Sequence, residues 1–264
     1  MQEHDVVYWI RERERVRRAK ESCNSPPPWS LDPVFQTTYF CNVRREDDKV
    51  TKWIRQNWPH DDIGLVVLAR MFNLPSHLNR LRLLPQHAMK SESLRWREAG
   101  QKLFNGAYLI TTCGVKMDKV DYVYQVAQDA GNLEWDTSPI QTLVKWHKNL
   151  MKVNGLGSFL AAQVVADLKN TPGHPLATAP DWWTWCAPGP GSMRGIKWVE
   201  GYENTTLGTF AREATTLYNS IAGQLPERLH MQDFQNCLCE FDKYCRVKTG
   251  TGRSKRKYNG RESS

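Results

Sequence analysis

The sequence contains no apolar run that approaches the roughly 20 residues of a membrane-spanning helix. Its first twenty residues are charged throughout and lack the apolar stretch of a secretory signal, so we expect neither a membrane protein nor an exported one. The seven cysteines are scattered and odd in number. That usage argues against a disulfide framework and favours a reducing cytoplasm.

Two familiar classes of active-site motif are also missing. The seven histidines are scattered and no H-E-x-x-H occurs, which weighs against a metalloenzyme. The spacing of Cys237, Cys239 and Cys245 fits neither a zinc ribbon nor an iron–sulfur run, and it favours thiols buried on a helix. The phosphate-binding loop G-x-x-x-x-G-K-[ST] is absent, and residues 250–255 do not supply it. A kinase that carries its own phosphate-binding loop is therefore disfavoured.

Charge is present in excess but is unevenly distributed. Lys and Arg number 36 against 28 Asp and Glu, a net charge of +8, and apolar residues make up 40% of the 264 residues, enough for a sizeable core. Residues 246–264 hold seven basic side chains and one acidic one. We expect residues 1–245 to form the folded domain and 246–264 a flexible, basic tail that adds salt-sensitive phosphate contacts.

The apolar residues recur with helical spacing nearly everywhere, and sustained alternation typical of strands is missing. Clear stripes are Val120, Val123, Tyr124 and Ala127; Leu207, Phe210, Ala214, Leu217 and Ile221; and Met231, Phe234, Leu238, Phe241 and Cys245. An all-α or mostly α fold follows. Two internal segments break the pattern: 23–33, which is rich in proline, and 171–198, which is rich in Pro, Gly and Trp and is expected to be a long functional loop.

One glycine turn carries a specific structural meaning. An amphipathic helix that includes Leu143 and Leu150 is followed by the turn 153–157 and by an apolar helix over 158–168. This order predicts a helix-hairpin-helix, whose glycines allow a close approach to a phosphate while free N–H groups bind the anion. The predicted DNA-backbone contacts are Gly155, Leu156, Gly157 and Ser158, with Ser158 as a candidate helix cap. The alternative is an ordinary αα-hairpin that ends on a glycine.

The position of Asp181 favours the first interpretation. It follows Gly157 by 24 residues and stands after Pro180 in the long loop. This segment resembles the helix-hairpin-helix DNA glycosylases, in which a catalytic aspartate lies about this far beyond the hairpin. The lysine of the lyase-type members is replaced by about Phe159, so Schiff-base chemistry is disfavoured at that site. The four-cysteine iron–sulfur loop of some relatives is also missing.

A closer resemblance covers roughly residues 5–245. Its motifs are Phe40-Cys41-Asn42-Val43-Arg44-Arg45-Glu46 with Asp48, Val50-Thr51 and Trp53-Ile54; Gly155-Leu156-Gly157-Ser158-Phe159 with Gln163-Val164 and Asp167-Leu168; Pro180-Asp181-Trp182 with Gly189-Pro190-Gly191-Ser192 and Arg194-Gly195; and Gln232-Asp233 with Asn236, Leu238-Cys239-Glu240-Phe241 and Lys243-Tyr244. With these motifs the chain resembles the bacteriophage α-glutamyl/putrescinyl thymine pyrophosphorylases, also described as amino acid:DNA transferases. The same helical module carries the label of a 5-hydroxymethyluracil DNA kinase helical domain.

The resemblance implies a glycosylase-like helical domain over residues 1–245, for which two helical lobes around a cleft are one expected arrangement. It also implies an enzyme that flips a base out of DNA and displaces pyrophosphate from 5-pyrophosphoryloxymethyluracil with an amine. The amine would be an amino acid such as glycine, or a polyamine. No cofactor is obligatory, although Mg²⁺ can accompany the pyrophosphate. The partners would be the modified DNA and the amine, with no membrane, in the cytoplasm of a phage-infected bacterium.

Roles can be assigned to the residues of these motifs. Asp181 is the candidate catalytic residue, which would stabilise positive charge on the pyrimidine or deprotonate the amine. Arginine forks suit pyrophosphate, while an amide can read a base edge and a carboxylate–ammonium pair can orient an amino acid. The candidate substrate-binding residues are Asn42, Arg44, Arg45, Ser192, Arg194, Glu240 and Lys243, and no metal ligand is predicted.

Each assignment has a structural alternative. Asp181 can be a loop or N-cap aspartate, Glu240 and Lys243 a surface ion pair, and Arg44 with Arg45 part of a solvated charged face. The tryptophans at 182, 183 and 185 can pin the loop rather than contact a flipped base. Two other functions also remain open: a DNA glycosylase that excises a modified pyrimidine, in which Asp181 assists water at the sugar carbon, and a non-catalytic DNA-binding module.

Overall fold

The structure, a computed structural model, describes residues 1–22, 26–106, 110–135 and 140–252. They form α1 Glu3–Glu21, α2 Pro33–Thr37, α3 Lys49–Asn57, α4 Ile63–Phe72, α5 Pro75–Leu81, α6 Gln86–Glu98, α7 Lys119–Gly131, α8 Leu143–Leu150, α9 Ser158–Lys169, α10 Pro190–Lys197, α11 Phe210–Ile221 and α12 Met231–Lys248. Short 3-10 helices cover Arg45–Asp47, Pro175–Thr178 and Ala222–Gln224. The prediction of an all-α fold is confirmed, since no strand is found in this part of the chain.

The chain divides into two compact units. The terminal unit joins Met1–Asp48 to Trp183–Ser264, and the central unit is Lys49–Trp182. The terminal unit therefore contains α1, α2, α10, α11 and α12, and the central unit contains α3 to α9. Each unit has its own set of buried apolar side chains.

The core of the terminal unit surrounds α12. The whole predicted stripe of Met231, Phe234, Leu238, Phe241 and Cys245 is buried. Aromatic rings from α1, α2 and the following segment gather at its far end, with Phe35 5.0 Å from Phe40 and 5.6 Å from Tyr244 between ring centroids. Removal of this apolar surface from water is what holds the N-terminal segment against α12.

Helix α10 packs closely against α12 because two of its residues are glycines. A Cβ atom on Gly195 would overlap the carbonyl oxygen of Leu238, and one on Gly191 would overlap the sulfur of Cys239. Backbone, unlike the end of a side chain, cannot move away without shifting the helix. The glycine at 195 in the Arg194-Gly195 motif is therefore explained by packing.

We expect Gly195→Ala to destabilise the protein by about 1–3 kcal/mol or more, because the methyl group forces α10 away from α12. Chemical denaturation followed by circular dichroism measures the change. The matched control is Gly223→Ala, whose Cβ would meet no atom within 4 Å, and which should be neutral or slightly stabilising. Equal stability of the two variants would contradict this account of the helix contact.

In the central unit, α4 and α7 cross closely at small residues. The Cα atom of Gly64 lies 3.9 Å from the position of a Cβ on Gly131, and a Cβ on Gly64 would come within 2.7 Å of the Ala127 carbonyl oxygen. Beside this contact lies a buried ion cluster. Asp167 of α9 is fully buried and binds Arg70 of α4 and Arg55 of α3, the latter at 2.8 Å. The cluster ties three helices of the unit together.

The structure corrects several boundaries expected from the sequence. Residues 171–198 are not one long loop, because a 3-10 helix covers Pro175–Thr178 and α10 covers Pro190–Lys197. The last helix continues to Lys248, past the predicted start of the tail at 246, and residues 253–264 of that tail lie outside the described residues. The stripe of α11 begins at Phe210, and Leu207 is 71% exposed. Cys237 and Cys245 are buried as predicted, whereas Cys239 is partly exposed.

Among the helices described here, none combines the length and apolarity that crossing a bilayer requires. The glycosylase-like part of the fold prediction and the division of residues 1–245 into lobes around a cleft stay predictions.

Candidate functional site

The residues predicted to act together fall into two groups. The hairpin and Asp181 belong to the central unit, while Asn42, Arg44, Arg45, Ser192, Arg194, Glu240 and Lys243 belong to the terminal unit. The residues of each group make contacts within their own unit.

Helices α8 and α9 are joined by the turn 151–157, at the place where the sequence predicts a hairpin. Gly155 has a φ of 102°, and a Cβ there would come within 2.5 Å of the Tyr122 hydroxyl, so this position requires glycine on two grounds. Leu156 is buried, and its N–H donates to the carbonyl of Val153, so this N–H group is already used inside the turn. The role of Leu156 is to anchor the turn.

The start of α9 follows directly after a glycine. The N-cap is Gly157, with no side-chain cap and no atom within 4 Å of where its Cβ would lie. Ser158 is the first helical residue and does not cap the helix, because its hydroxyl lies 3.3 Å from Nε2 of His147 instead. A helix start whose N-cap residue has no side chain leaves room for a phosphate.

Asp181 is bound to the beginning of the other hairpin helix. One carboxylate oxygen accepts the N–H of Leu143 at 2.8 Å and the other accepts the N–H of Val144 at 3.1 Å. The N-cap alternative therefore describes its contacts. The carboxylate is only half-buried, and each oxygen still has lone pairs, so the same contacts hold it in a fixed orientation.

The tryptophans that follow are largely occupied by packing. The Trp182 indole donates to the carbonyl of Lys169 at 3.0 Å, and the buried ammonium of Lys169 lies 4.5 Å from the Trp182 ring centre. The guanidinium of Arg228 lies over Trp183 at 3.9 Å, and Trp185 is buried. These contacts fit the alternative in which the rings pin the segment.

In the terminal unit, the first motif lies between α1 and α12. Arg13 of α1 donates to the carbonyl of Cys41 and to the side chain of Asn42, whose amide in turn donates to the carbonyl of Asp47. Asn236 of α12 donates to the carbonyl of Asn42 at 3.2 Å. Asn42 is thus used to hold the segment, and its side chain does not project into open space as a base-reading amide would.

The two arginines of this motif differ sharply. Arg44 donates to Asp47 at 2.9 Å and to Glu227 at 2.6 Å. Burial opposes its charge, but these carboxylates outweigh burial and raise its pKa. The N–H of Arg45 donates to buried Asp233 at 3.0 Å, whereas its buried side-chain Nε has no hydrogen-bond partner among the described residues. The neighbouring Arg13 also has a buried nitrogen, Nη1, with none.

Ser192 and Arg194, which belong to the motif that includes Pro180-Asp181-Trp182, hold α10 in place. The Ser192 hydroxyl is fully buried, donates to the Gly189 carbonyl and accepts the Gly189 N–H, both at 3.0 Å, and also accepts from Gln235. Ser192 is therefore a helix-capping residue and not an open ligand group. Arg194 binds buried Asp242 at 3.0 Å, while 55% of its side chain remains exposed. It can contact Asp242 and an anion in solution at once.

Glu240 and Lys243 form an ion pair at 2.7 Å, but the pair is not a surface one. Glu240 is buried and also accepts the N–H of Cys41 at 2.9 Å. The Lys243 ammonium lies 3.3 Å from the carbonyl of Tyr39. The pair thus fastens the first motif to α12.

Two buried charges of α1 were not predicted from the sequence. Arg13 and Glu14 are both buried, and Glu14 binds Arg17 and Arg18. Burial raises the pKa of the Glu14 carboxyl, but the two arginines outweigh it and lower the value. The signal was available, because the buried face that includes Val6 and Ile10 continues at helical spacing to Arg13 and Glu14.

Of three comparisons with known proteins, one gives a match for this chain. Residues 3–254 match the family described as 5-hmdU DNA kinase, helical domain. No curated protein and no solved structure matches the chain significantly. Among the described residues, no group of three or more His, Cys, Asp or Glu side chains is placed to hold a metal ion.

Proposed function

Because the chain belongs to the family of 5-hmdU DNA kinase helical domains, we propose that it acts on hydroxymethyluracil in DNA. The match spans nearly the whole chain and is the observation that carries this proposal. It supports DNA as the substrate and a role in base modification.

The finer proposal is an amine transfer to the base. The amine nitrogen attacks the exocyclic methylene carbon of 5-pyrophosphoryloxymethyluracil, the new C–N bond forms, and the C–O bond breaks. Pyrophosphate leaves with the bonding electron pair, and the nitrogen loses its proton to a carboxylate. Asp181 is the proposed acceptor, since its carboxylate is held by two N–H groups and is half-exposed.

The terminal unit by itself carries arginines that suit an anion such as pyrophosphate. Arg45 and Arg13 each carry a buried N–H-bearing nitrogen with no acceptor among the described residues. Buried guanidinium groups left without an acceptor are costly, and an anion that accepts from them removes that cost. Arg194 adds an exposed guanidinium on α10. Arg44 is committed to Asp47 and Glu227 and serves to position the motif.

DNA binding is proposed for the hairpin. The start of α9, preceded by Gly157, is the proposed contact with a phosphate, which would be bound through the protein backbone without reading its base. In this proposal Gly155 and Leu156 shape the turn, and the N–H groups from Ser158 onward contact the backbone.

A second function is favoured by the family description together with the sequence. The family name includes a kinase, yet the sequence has no G-x-x-x-x-G-K-[ST] motif. A helical domain without that motif can serve a kinase by binding DNA and presenting the base while another domain transfers phosphate.

One assay separates these functions. DNA that contains 5-pyrophosphoryloxymethyluracil is incubated with the protein and a panel of amines, and the digested nucleosides are weighed. An amine adduct with free pyrophosphate supports the transferase. Free base with abasic sites supports a glycosylase, and unchanged nucleosides with DNA retained in a gel shift support the DNA-presenting module.

We expect Arg45→Gln to weaken the binding of inorganic pyrophosphate to the protein by about tenfold, because it removes a charge-assisted donor for the anion. The Arg45 N–H to Asp233 is a backbone contact and survives the change. The matched control is Arg212→Gln, an exposed arginine on α11. A stable Arg45→Gln protein that binds pyrophosphate as the wild type does would remove Arg45 from the proposed anion site.

A further inference from the structure

Two stretches of the central unit, 63–91 and 99–106, contain no acidic residue. The structure brings them together beside α5. The N–H of Asn105 donates to the carbonyl of Phe72 at 2.9 Å, and the rings of Phe72 and Phe104 pack with their centroids 5.0 Å apart. The surface that results is built from separate parts of the sequence, and neither part contributes a carboxylate.

Three exposed basic side chains lie on this surface. Arg80 is in the last turn of α5, Arg82 is the C-cap residue of the same helix, and Lys102 follows α6. Both terminal nitrogens of Arg80 donate to the side-chain oxygen of Gln101, at 3.3 and 3.4 Å, which places Lys102 next to the end of α5. Arg80, Arg82 and Lys102 are called the α5 basic surface below.

The partners of the α5 basic surface are neutral. Arg80 donates to Gln101 and Arg82 donates to Asn79 at 2.8 Å, and none of the three cations forms an ion pair with a described residue. The cations of α6 are instead each paired with a carboxylate: Lys90 with Asp121, Arg95 with Glu92, and Arg97 with Asp118. The positive charge of the α5 basic surface is therefore left for another molecule.

The helix dipole explains part of this arrangement. Cations in the last turn of a helix interact favourably with the dipole, which suits Arg80 and Arg82. The dipole of α5 does not account for Lys102, or for the lack of acidic residues over both stretches. Glu98 is the acidic residue nearest to Lys102 along the chain, and it can offset only one of the three charges. A surface with net positive charge attracts a polyanion.

The aromatic rings beside the α5 basic surface are already in contact with cations. The guanidinium of Arg80 lies over the Trp96 ring at 5.5 Å, and the ammonium of Lys119 lies over the Phe104 ring at 4.2 Å. Proteins that bind single strands place exposed rings where bases can stack. Since the described side chains here present charge and amide groups rather than open rings, the surface suits phosphates better than bases.

We propose that the α5 basic surface binds the phosphate backbone of double-stranded DNA, as a second contact besides the hairpin. That the polyanion is DNA rests on the proposed function. Each cation that neutralises a phosphate releases counterions, so this contact makes DNA binding more sensitive to salt. Because it touches only the backbone, it adds affinity without sequence preference.

Fluorescence anisotropy with a labelled, unmodified duplex and the full chain, over a series of salt concentrations, tests the surface. The variant combines Arg82→Gln with Lys102→Gln and leaves Arg80 packed on Trp96. We expect affinity to fall on the order of tenfold, and the slope of log affinity against log salt to become shallower by about 2, since two contacts of about 0.9 each are lost. A duplex of unrelated sequence should show the same losses.

The matched control combines Arg15→Gln with Arg212→Gln. It removes the same net charge from exposed arginines, but these are paired with Glu12 and Glu213. The control should keep the affinity and the salt slope of the wild type. Surface substitutions of this kind change stability little, which thermal denaturation of both double variants verifies.

The outcomes separate this surface from the proposed function. If the wild type binds the duplex and the Arg82→Gln/Lys102→Gln variant matches the control in affinity and slope, the surface proposal is overturned while DNA remains the substrate. Loss of binding to poly-L-glutamate in that variant, with DNA binding unchanged, assigns the surface to an acidic protein and overturns the proposal as well. Failure of the wild type to bind DNA at all removes the proposed function together with the surface.

Discussion

Replacing Asp181 with asparagine is expected to lower the rate of amine transfer by at least about 100-fold while DNA binding stays within a few-fold. An asparagine oxygen can still accept the N–H of Leu143 or of Val144, but the amide cannot take a proton from the amine. The hairpin N–H groups proposed to contact phosphate belong to α9, so they are unaffected. Single-turnover adduct formation and a gel shift measure the two effects.

The control must separate chemistry from helix capping. Asp181→Asn also weakens the start of α8, by about 1 kcal/mol. Thr142→Ala removes another cap of the same helix, the bond from the Lys145 N–H at 3.3 Å, without touching a carboxylate. It should show a similar loss of stability and near-normal transfer. Equal loss of transfer in both variants would assign the effect to α8 and end the catalytic role of Asp181.

Replacing Asp167 with asparagine is expected to destabilise the protein by about 3–5 kcal/mol. The carboxylate is fully buried and binds Arg55 and Arg70, and its loss leaves two guanidinium groups without their counter-charge. Thermal and urea denaturation measure the change. The control is Glu92→Gln, one partner of an exposed pair with Arg95, which should alter stability by less than about 1 kcal/mol.

The same cluster gives an expected pH dependence. Burial alone would raise the pKa of Asp167, but the two arginines outweigh it and lower the value. A carboxyl whose pKa is lower in the folded state stabilises the protein above its unfolded pKa, near 4, and loses that contribution as pH falls through its folded pKa. The wild type should therefore lose stability below about pH 4 more steeply than Asp167→Asn does. Parallel pH profiles would contradict the ionised state of the cluster.

The sequence predicted the helices well where one apolar face meets a core. Every member of the α12 stripe from Met231 to Cys245 is buried, because a stripe of that spacing has only one way to leave water. The start of α11 was misplaced, since Leu207 fits the spacing but lies outside the helix, 71% exposed. Periodicity identifies a face, whereas the first residue of a helix depends on local capping.

The candidate site was harder to predict because its contacts join residues distant along the chain. The carboxylate of Asp181 binds N–H groups 38 and 37 positions earlier, and the N–H of Arg45 binds Asp233, 188 positions later. The local spacing of motif residues along the sequence gives no information on partners so far away in the chain.

The terminal unit is made from both ends of the described chain, and this sets the order in which it can be completed. Phe40, Cys41 and Arg45 find their contacts on α12, and the partners of Arg45 and Cys41 follow them by 188 and 199 positions. The central unit is one uninterrupted stretch, Lys49–Trp182, so all of its helices have been synthesised before α12 begins at Met231. During synthesis the apolar face of α1 therefore stays exposed to solvent until α12 has been made. A nascent chain is prone to aggregation while such a surface is exposed.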